Sequence, residues 1–232
     1  MKRLSKRLLT EKKKINKTVA YDYKEAISLV KNCASAKFNE SVEAHISLNI
    51  DPKYADQQLR TTVILPYGTG KNLRIAALVA SDKINEAKES GAEIYGSEDL
   101  IENISKGMLN FDLLIATADM MPKLAKLGRI LGPKGLMPSP KAGTVTLDLK
   151  STVNEFKKGK LEYRADKTGI VHISFGKVNF LENNLIENLK VFYNSIELNK
   201  PTGVKGKYIK KFSLCSTMGP SINLNINSFS LN

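Results

Sequence analysis

The chain has 232 residues, 42% of them hydrophobic and 25% charged, a globular composition with enough length to bury a core in one large domain or two of ordinary size. Thirty-six basic against 23 acidic residues give a net charge of +13, which says nothing of fold but points to polyanionic partners, nucleic acid first and anionic membrane second. The two cysteines, Cys33 and Cys215, have no CxxC or Cys/His spacing; this speaks against a zinc site or disulfide framework and fits small, partly buried hydrophobes in a reducing compartment. All apolar runs fall far short of the roughly 20 residues that a membrane span needs.

The opening MKRLSKRLLTEKKKINK is basic but lacks the apolar run and cleavage site of a signal peptide, and it is Lys-rich where transit peptides are Ser- and Arg-rich. A solvated basic arm is expected. YDYKEAISLVKNCA (21–34) sets Ala26, Ile27, Val30 and Cys33 or Ala34 at helical spacing, predicting an amphipathic helix. In SVEAHISLNI (41–50), Val42, Ala44, Ile46, Leu48 and Ile50 alternate with Glu43, His45, Ser47 and Asn49. Period two with one polar face predicts a strand whose sheet has one side on the core and one in water.

From Leu65 the pattern changes. LRIAALVA (73–80) and FDLLIAT (111–117) read as buried strands, AEIYG (92–96) as a short one and TVTLD (144–148) as a further one. Alternating with them are predicted helices: SDKINEAKES (81–90), with Ser81 or Asp82 as N-cap and Gly91 at its end; SEDLIENISKG (97–107); MMPKLAKLGRIL (120–131); and STVNEFKKG (151–159), where Thr152 and Glu155 have capping-box spacing. That alternation implies a largely parallel sheet covered by helices. From Lys160, KLEYRADKTGIVHISFG reads as two strands joined by the turn Asp166-Lys167-Thr168-Gly169. LENNLIENLKVFYNSIEL (181–198) predicts a helix stopped by Pro201 and Gly203, and KYIKKFSLCSTMGPSINLNI predicts closing strands broken at Gly219-Pro220.

Charge follows the same division. Residues 1–67 carry 13 basic and 7 acidic residues, 68–159 carry 13 and 11, and 160–232 carry 10 and 5. The outer segments thus hold +11 of the +13 and share a strand style. We expect residues 1–67 and 160–232 to form one α+β domain that binds the polyanion, interrupted by a nearly neutral α/β insert, 68–159.

Little catalytic chemistry is visible. PYGTGKN (66–72) is too short for a phosphate-binding GxxxxGK[ST] loop and ends in Asn72 where a hydroxyl would hold magnesium; a flexible crossover between domains is the better reading. His45 and His172 each fall on the polar side of a strand, able to neighbour each other and to face nucleic acid or water, with no cysteine or carboxylate at metal-ligand spacing. Glu98-Asp99 sits at a helix start, where carboxylates complement the helix dipole.

Three polar patches in the outer segments carry the groups that read RNA backbone, 2′-hydroxyls and splayed bases. The first runs from Lys37 and Phe38 through Asn39 and Glu40 to Ser41; the second from Arg164 through Asp166, Lys167, Thr168 and Gly169; the third comprises Ser216, Thr217, Met218, Gly219 and Pro220. Glu40 and Glu43 oppose phosphate, although a carboxylate can accept from a 2′-hydroxyl or a base amine.

LGRILGPKGLMPSPKAGTV (127–145) closely resembles the signature of the L-one family of large-subunit ribosomal proteins in its bacterial and plastid form. AKFNESVEAHISLNID, RTTVILPYGTGK, YRADKTGIVH and STMGPS resemble further stretches of that family in the same order. The resemblance implies a two-domain fold, in which both termini build an α+β RNA-binding domain and the middle is an inserted Rossmann-like α/β domain. It implies a protein without enzymatic activity, cofactor, metal or small-molecule substrate. Such a protein holds the mobile stalk of large-subunit rRNA beside the tRNA exit site, assists tRNA release and, in bacterial members, represses its own mRNA. Carried across, the rRNA contacts fall on Lys37, Phe38, Ser41 and Glu43, on Asp166 through Gly169, and on Thr217, Met218 and Gly219; the family commonly has threonine where this chain has Ser41. The Gly/Pro-rich signature then reads as a scaffold, with Arg129, Lys134 and Lys141 as secondary RNA contacts. Heavy use of Lys, Asn and Ile points to an AT-rich genome, plastid slightly ahead of bacterial.

Overall fold

The computed structural model describes residues 5–229. Its elements, in chain order, are α1 (Lys6–Lys13), α2 (Tyr23–Cys33), β1 (Ser41–Leu48), β2 (Arg60–Ile64), β3 (Ile75–Leu78), α3 (Ile84–Glu89), β4 (Ile94–Gly96), α4 (Glu98–Ser105), β5 (Leu113–Ala116), α5 (Met121–Ala125), α6 (Gly128–Leu131), α7 (Leu149–Lys158), β6 (Lys160–Arg164), β7 (Ile170–Lys177), α8 (Glu182–Leu198), β8 (Ile209–Ser216) and β9 (Ile222–Asn223). They group into two compact units, residues 1–70 with 162–232, and residues 71–161.

The first unit is built on a four-stranded sheet in the order β7-β1-β8-β9, with β1 antiparallel to both neighbours. Alternation along β1 buries Val42, Ala44, Ile46 and Leu48 almost completely. They share a core with Ala26, Ile27 and Val30 of α2 and with Leu185, Leu189, Phe192 and Ile196 of α8. The opposite face of the sheet carries Glu43, His45 and Ser47, all partly exposed. This is an α+β layer with one covered and one open face.

In the second unit β3 lies between β4 and β5, parallel to both. The sheet is apolar on both faces. Ala76 and Leu78 pack with Leu100, Ile104, Leu124 and Leu131, while Ile75, Ala77 and Val79 pack with Ala87, Val153 and Phe156. Strands buried on both sides read as continuous apolar runs, which is why LRIAALVA shows no alternation.

Several expectations are corrected. The basic arm is not simply solvated: residues 6–13 are helical, with Ser5 Oγ accepting from Leu8 N–H, and Arg7 donates to Ser35 Oγ and to the Met218 carbonyl. Residues 1–4 of that arm lie outside the described residues. The strands flanking Asp166–Gly169 are not a hairpin pair, because β6 pairs with β2 and β7 with β1, leaving only an Ala165–Val171 bridge between them. The helix expected over 120–131 is two short helices, α5 with Pro122 in its first turn and α6 beginning at Gly128, since proline cannot extend a preceding turn and glycine weakens a helix interior. TVTLD contributes a single bridge, Ala116 to Val145. Asp148, not Thr152, caps α7 by accepting from Ser151 N–H, and the Thr152 hydroxyl donates back to the Asp148 carbonyl. Ser81 and Asp82 lie in a 3₁₀ turn ahead of α3 and do not cap it by a side-chain bond.

The crossover PYGTGKN is not loose either. Fully buried Asn188 of α8 accepts from Tyr67 N–H and donates to the carbonyls of Gly68 and Phe175. Gly70, at φ +69°, leaves no room for a Cβ against Lys177 and Phe180. Removing the amide strands the buried Phe175 carbonyl and frees the half-buried Tyr67 N–H and Gly68 carbonyl. Asn188→Ala is therefore expected to destabilise the protein by about 1–3 kcal/mol, the typical penalty for one unsatisfied buried group, as read by urea denaturation.

Candidate nucleic-acid interface

The three polar patches lie at the two ends of one sheet's central strand, β1. β1 spans Ser41–Leu48, roughly 24 Å at about 3.4 Å per residue. At its first end, Ser41 sits opposite Lys177 of β7, and Val42 opposite Ser216 of β8. At its far end, Ser47 meets Ile170, which follows the Asp166–Gly169 turn. Midway, His45 is paired with His172.

The first end is held by charge and hydrogen bonds between distant parts of the chain. Ser41 N–H donates to Thr217 Oγ1 (2.9 Å) and Thr217 N–H to the Ser41 carbonyl (3.0 Å). The Glu40 carboxylate is buried, 1% exposed. It accepts from Ala36 N–H at 3.0 Å and from Met218 N–H at 2.8 Å. Burial alone would raise its pKa; the two amide donors and nearby Arg7 outweigh that and hold it below the usual 4.5. Lys177 Nζ donates to Ser41 Oγ. A Cβ on Gly219 would meet Ser216 Oγ, so a side chain there would have to displace that hydroxyl. What remains on the surface is Lys37, Phe38, Asn39, Thr217 and Met218, with Phe38 55% and Met218 51% exposed.

The far end is an Asx-type turn. Asp166 Oδ1 accepts from the backbone N–H of Thr168 and Ile170 and from the Thr168 hydroxyl, which holds the carboxyl down at about 2, the Ile170 amide contributing most. Gly169, at φ +77°, packs with its Cα side against the Ile50 carbonyl. Arg164, Lys167, Thr168 and His172 are exposed. A cleft of about 640 Å³ opens between Tyr163, Arg164, Asp166, Lys167 and His172.

Between the two ends the histidine rings meet edge to face, Nδ1 to Nδ1 at 2.8 Å. Burial, and then the neighbouring ring, lower the His45 pKa. His172 Nε2 faces Asp166 at 3.6 Å.

Thus the expected contact residues divide by position. Lys37, Phe38, Arg164, Asp166, Lys167, Thr168, His172, Thr217 and Met218 are exposed, Glu43 and Gly219 half-buried, and Ser41, Gly169 and Ser216 buried beneath them. Arg7 and Lys177 belong to the same cluster and left no local signal, since their partners stand 211 and 136 residues away. Arg129, Lys134 and Lys141 are exposed in the second unit. There, Leu136 and Met137 pack on the core beside Leu131, and Ser139 and Thr144 hydrogen-bond each other. The Gly/Pro stretch is an anchored loop.

Residues 29–220 match the profile of the Ribosomal protein L1p/L10e family. The chain belongs to that family. It is a ribosomal protein, structural and not enzymatic. It is 58% identical over 229 residues to the large ribosomal subunit protein uL1c of Trieres chinensis, covering 99% of this chain and 100% of the relative. Identity is 60% over 229 residues with uL1c of Guillardia theta (99% and 97% covered). With uL1 of Synechococcus sp. (strain WH7803) it is 61% over 226 residues (97% and 96% covered). The α/β architecture is the one the resemblance implied.

The Glu40 clamp gives a pH signature. Its folded pKa lies below 4.5, so its contribution is complete above 4.5 and fades as pH falls through the lower folded value. Glu40→Gln is expected to cost about 1.5–3 kcal/mol at neutral pH, the range for bonds to a charged acceptor. The gap from wild type should close below pH 4.5, as followed by denaturation midpoints across an acid series.

Proposed function

We propose that this chain is a structural constituent of the large ribosomal subunit whose first unit binds the rRNA stalk beside the tRNA exit site. It holds that stalk as exit-site tRNA leaves, and the same surface takes an rRNA-like fold of its own mRNA. The observation that carries the reading is the open sheet face, with exposed cations and Phe38 at one end, the Arg164–Gly169 turn at the other, and helices covering the reverse side. The first unit has 22 basic and 12 acidic residues, net +10, against +3 for the second. Phosphate neutralisation supplies affinity, and contacts to 2′-hydroxyls and unstacked bases supply selectivity. Residues Lys37, Phe38, Glu43, Arg164, Asp166, Lys167, Thr168, His172, Thr217 and Met218 make those contacts, supported by Ser41, Gly169, Ser216 and Gly219. Arg129, Lys134 and Lys141 add secondary ones. The compartment is a plastid or a bacterial cytoplasm, in keeping with the plastid and cyanobacterial relatives.

Two substitutions separate the contributions. Phe38→Ala is expected to weaken binding to a stalk rRNA fragment by ~1–3 kcal/mol with its salt dependence intact, and Lys37→Ala to reduce the slope of log K against log[salt] by about 1. Filter binding across a salt series measures both. If neither variant differs from wild type while the combined Arg129, Lys134 and Lys141 to Ala variant loses more, the principal RNA surface lies on the second unit.

A further inference from the structure

Two neighbouring strands bring together a group of side chains that no sequence spacing reveals. Glu43 and His45 project from β1, and Cys215 lies opposite Glu43 on β8. His45 Nε2 stands 3.2 Å from Cys215 Sγ and 3.9 Å from Glu43 Oε2. The three donor atoms lie within 4.8 Å of one another, and all three residues are half-buried. Around a tetrahedral zinc ion, bond lengths of 2.0–2.3 Å put neighbouring donors roughly 3.3–3.6 Å apart, so the observed spacing needs only small rotamer adjustments.

We propose that Glu43, His45 and Cys215 form a site for a zinc-class divalent cation on the open sheet face, with a fourth position left to water. The donor set selects the metal: one sulfur, one imidazole nitrogen and one carboxylate suit zinc, cobalt or nickel, whereas magnesium and calcium take oxygen alone.

The hydrogen-bond partners of His45 are compatible with the imidazole tautomer that a metal needs. A Cys215 thiol that donates to His45 Nε2 leaves the His45 proton on Nδ1, which then donates to His172 Nδ1 at 2.8 Å. His172 keeps its own proton on Nε2, facing the Asp166 carboxylate. A cation on His45 Nε2 needs that same arrangement, with the second nitrogen oriented by an outer partner. On binding, the Cys215 S–H bond breaks, its proton passes to solvent and a sulfur–metal bond forms. Asp166 is anchored independently by three hydrogen bonds, so the outer chain of partners ends on a fixed carboxylate. Cys33, buried in α2, lies on the helix-covered side and serves as an internal control.

The test is a cobalt(II) titration of the full chain without RNA, following the thiolate-to-cobalt charge-transfer band. A band that saturates at one equivalent is expected. It should be lost in Cys215→Ser and kept in Cys33→Ser, and His172→Ala should weaken binding about 10–100-fold, as outer partners do. Zinc should also slow iodoacetamide alkylation of Cys215 in the unmodified protein, mapped by mass spectrometry, which requires no variant to fold. Absence of the band, its survival in Cys215→Ser, or unchanged alkylation with zinc present overturns the site.

Discussion

β1 has partners on both edges, and both come from the far end of the chain. Its ladder to β7 joins Ser41 through Ser47 to residues 170–177, and its ladder to β8 joins Val42 through Leu48 to residues 209–216. A central strand has no unpaired backbone groups to leave in water, and a buried strand cannot leave them unpaired. The first segment therefore cannot complete its fold alone. Closing contacts across more than a hundred residues costs loop entropy that grows only slowly with length, though it slows folding. The insert can thus sit within the first unit's sequence at modest cost to that unit's stability.

The same constraint shapes the open face. Where β1 begins, the chain must leave the sheet next to the point where β8 ends, and both departures expose amides. Glu40 resolves this by burying a carboxylate under Ala36 and Met218 N–H groups. A carboxylate in a basic surface looks like an obstacle to phosphate, but at 1% exposure and with its lone pairs committed to amides it acts as a structural anchor. Small or polar residues beneath the surface (Ser41, Gly169, Ser216) let the backbone approach closely, while Phe38 and Met218 remain exposed although apolar burial would favour covering them. Side chains held outside the core on an anchored turn lose less freedom when a partner binds.

Periodicity carried most of the element list. Period two marked β1 and helical spacing marked α2 and α8, because each has one covered and one wet face. Continuous apolar runs marked β3 and β5, buried on both sides. Pairing was not legible in the same way. DKTG says that the chain turns, since Asp166 can cap the following amides, but nothing local says that β6 turns away to β2 while β7 joins β1. The Thr152–Glu155 spacing fits a capping box, yet Asp148 three residues before Ser151 supplies the cap and starts the helix earlier. PYGTGKN reads as loose because its glycines permit many conformations; its anchor, Asn188, lies 120 residues away on α8. The exposed candidate residues were legible as polar clusters, while Arg7 and Lys177, which hydrogen-bond to Met218 and Ser41 within them, were not.

The Gly/Pro-rich stretch is the most recognisable part of the sequence, and it folds as a loop anchored on the second unit's core. Its prolines and glycines preclude a continuing helix, and Gly143 at φ +64° ends the 3₁₀ turn at Pro140–Ala142. Leu136 and Met137 then fasten the path to the core beside Leu131. Residues that fix backbone geometry leave few free positions, and those positions carry exposed Arg129, Lys134 and Lys141. Three cations, one on α6 and two in the segment that follows, neutralise at most about three phosphates, whereas sequence-independent affinity scales with the number neutralised. The second unit's net +3 against the first unit's +10 is why the proposed role of these three cations is a secondary one.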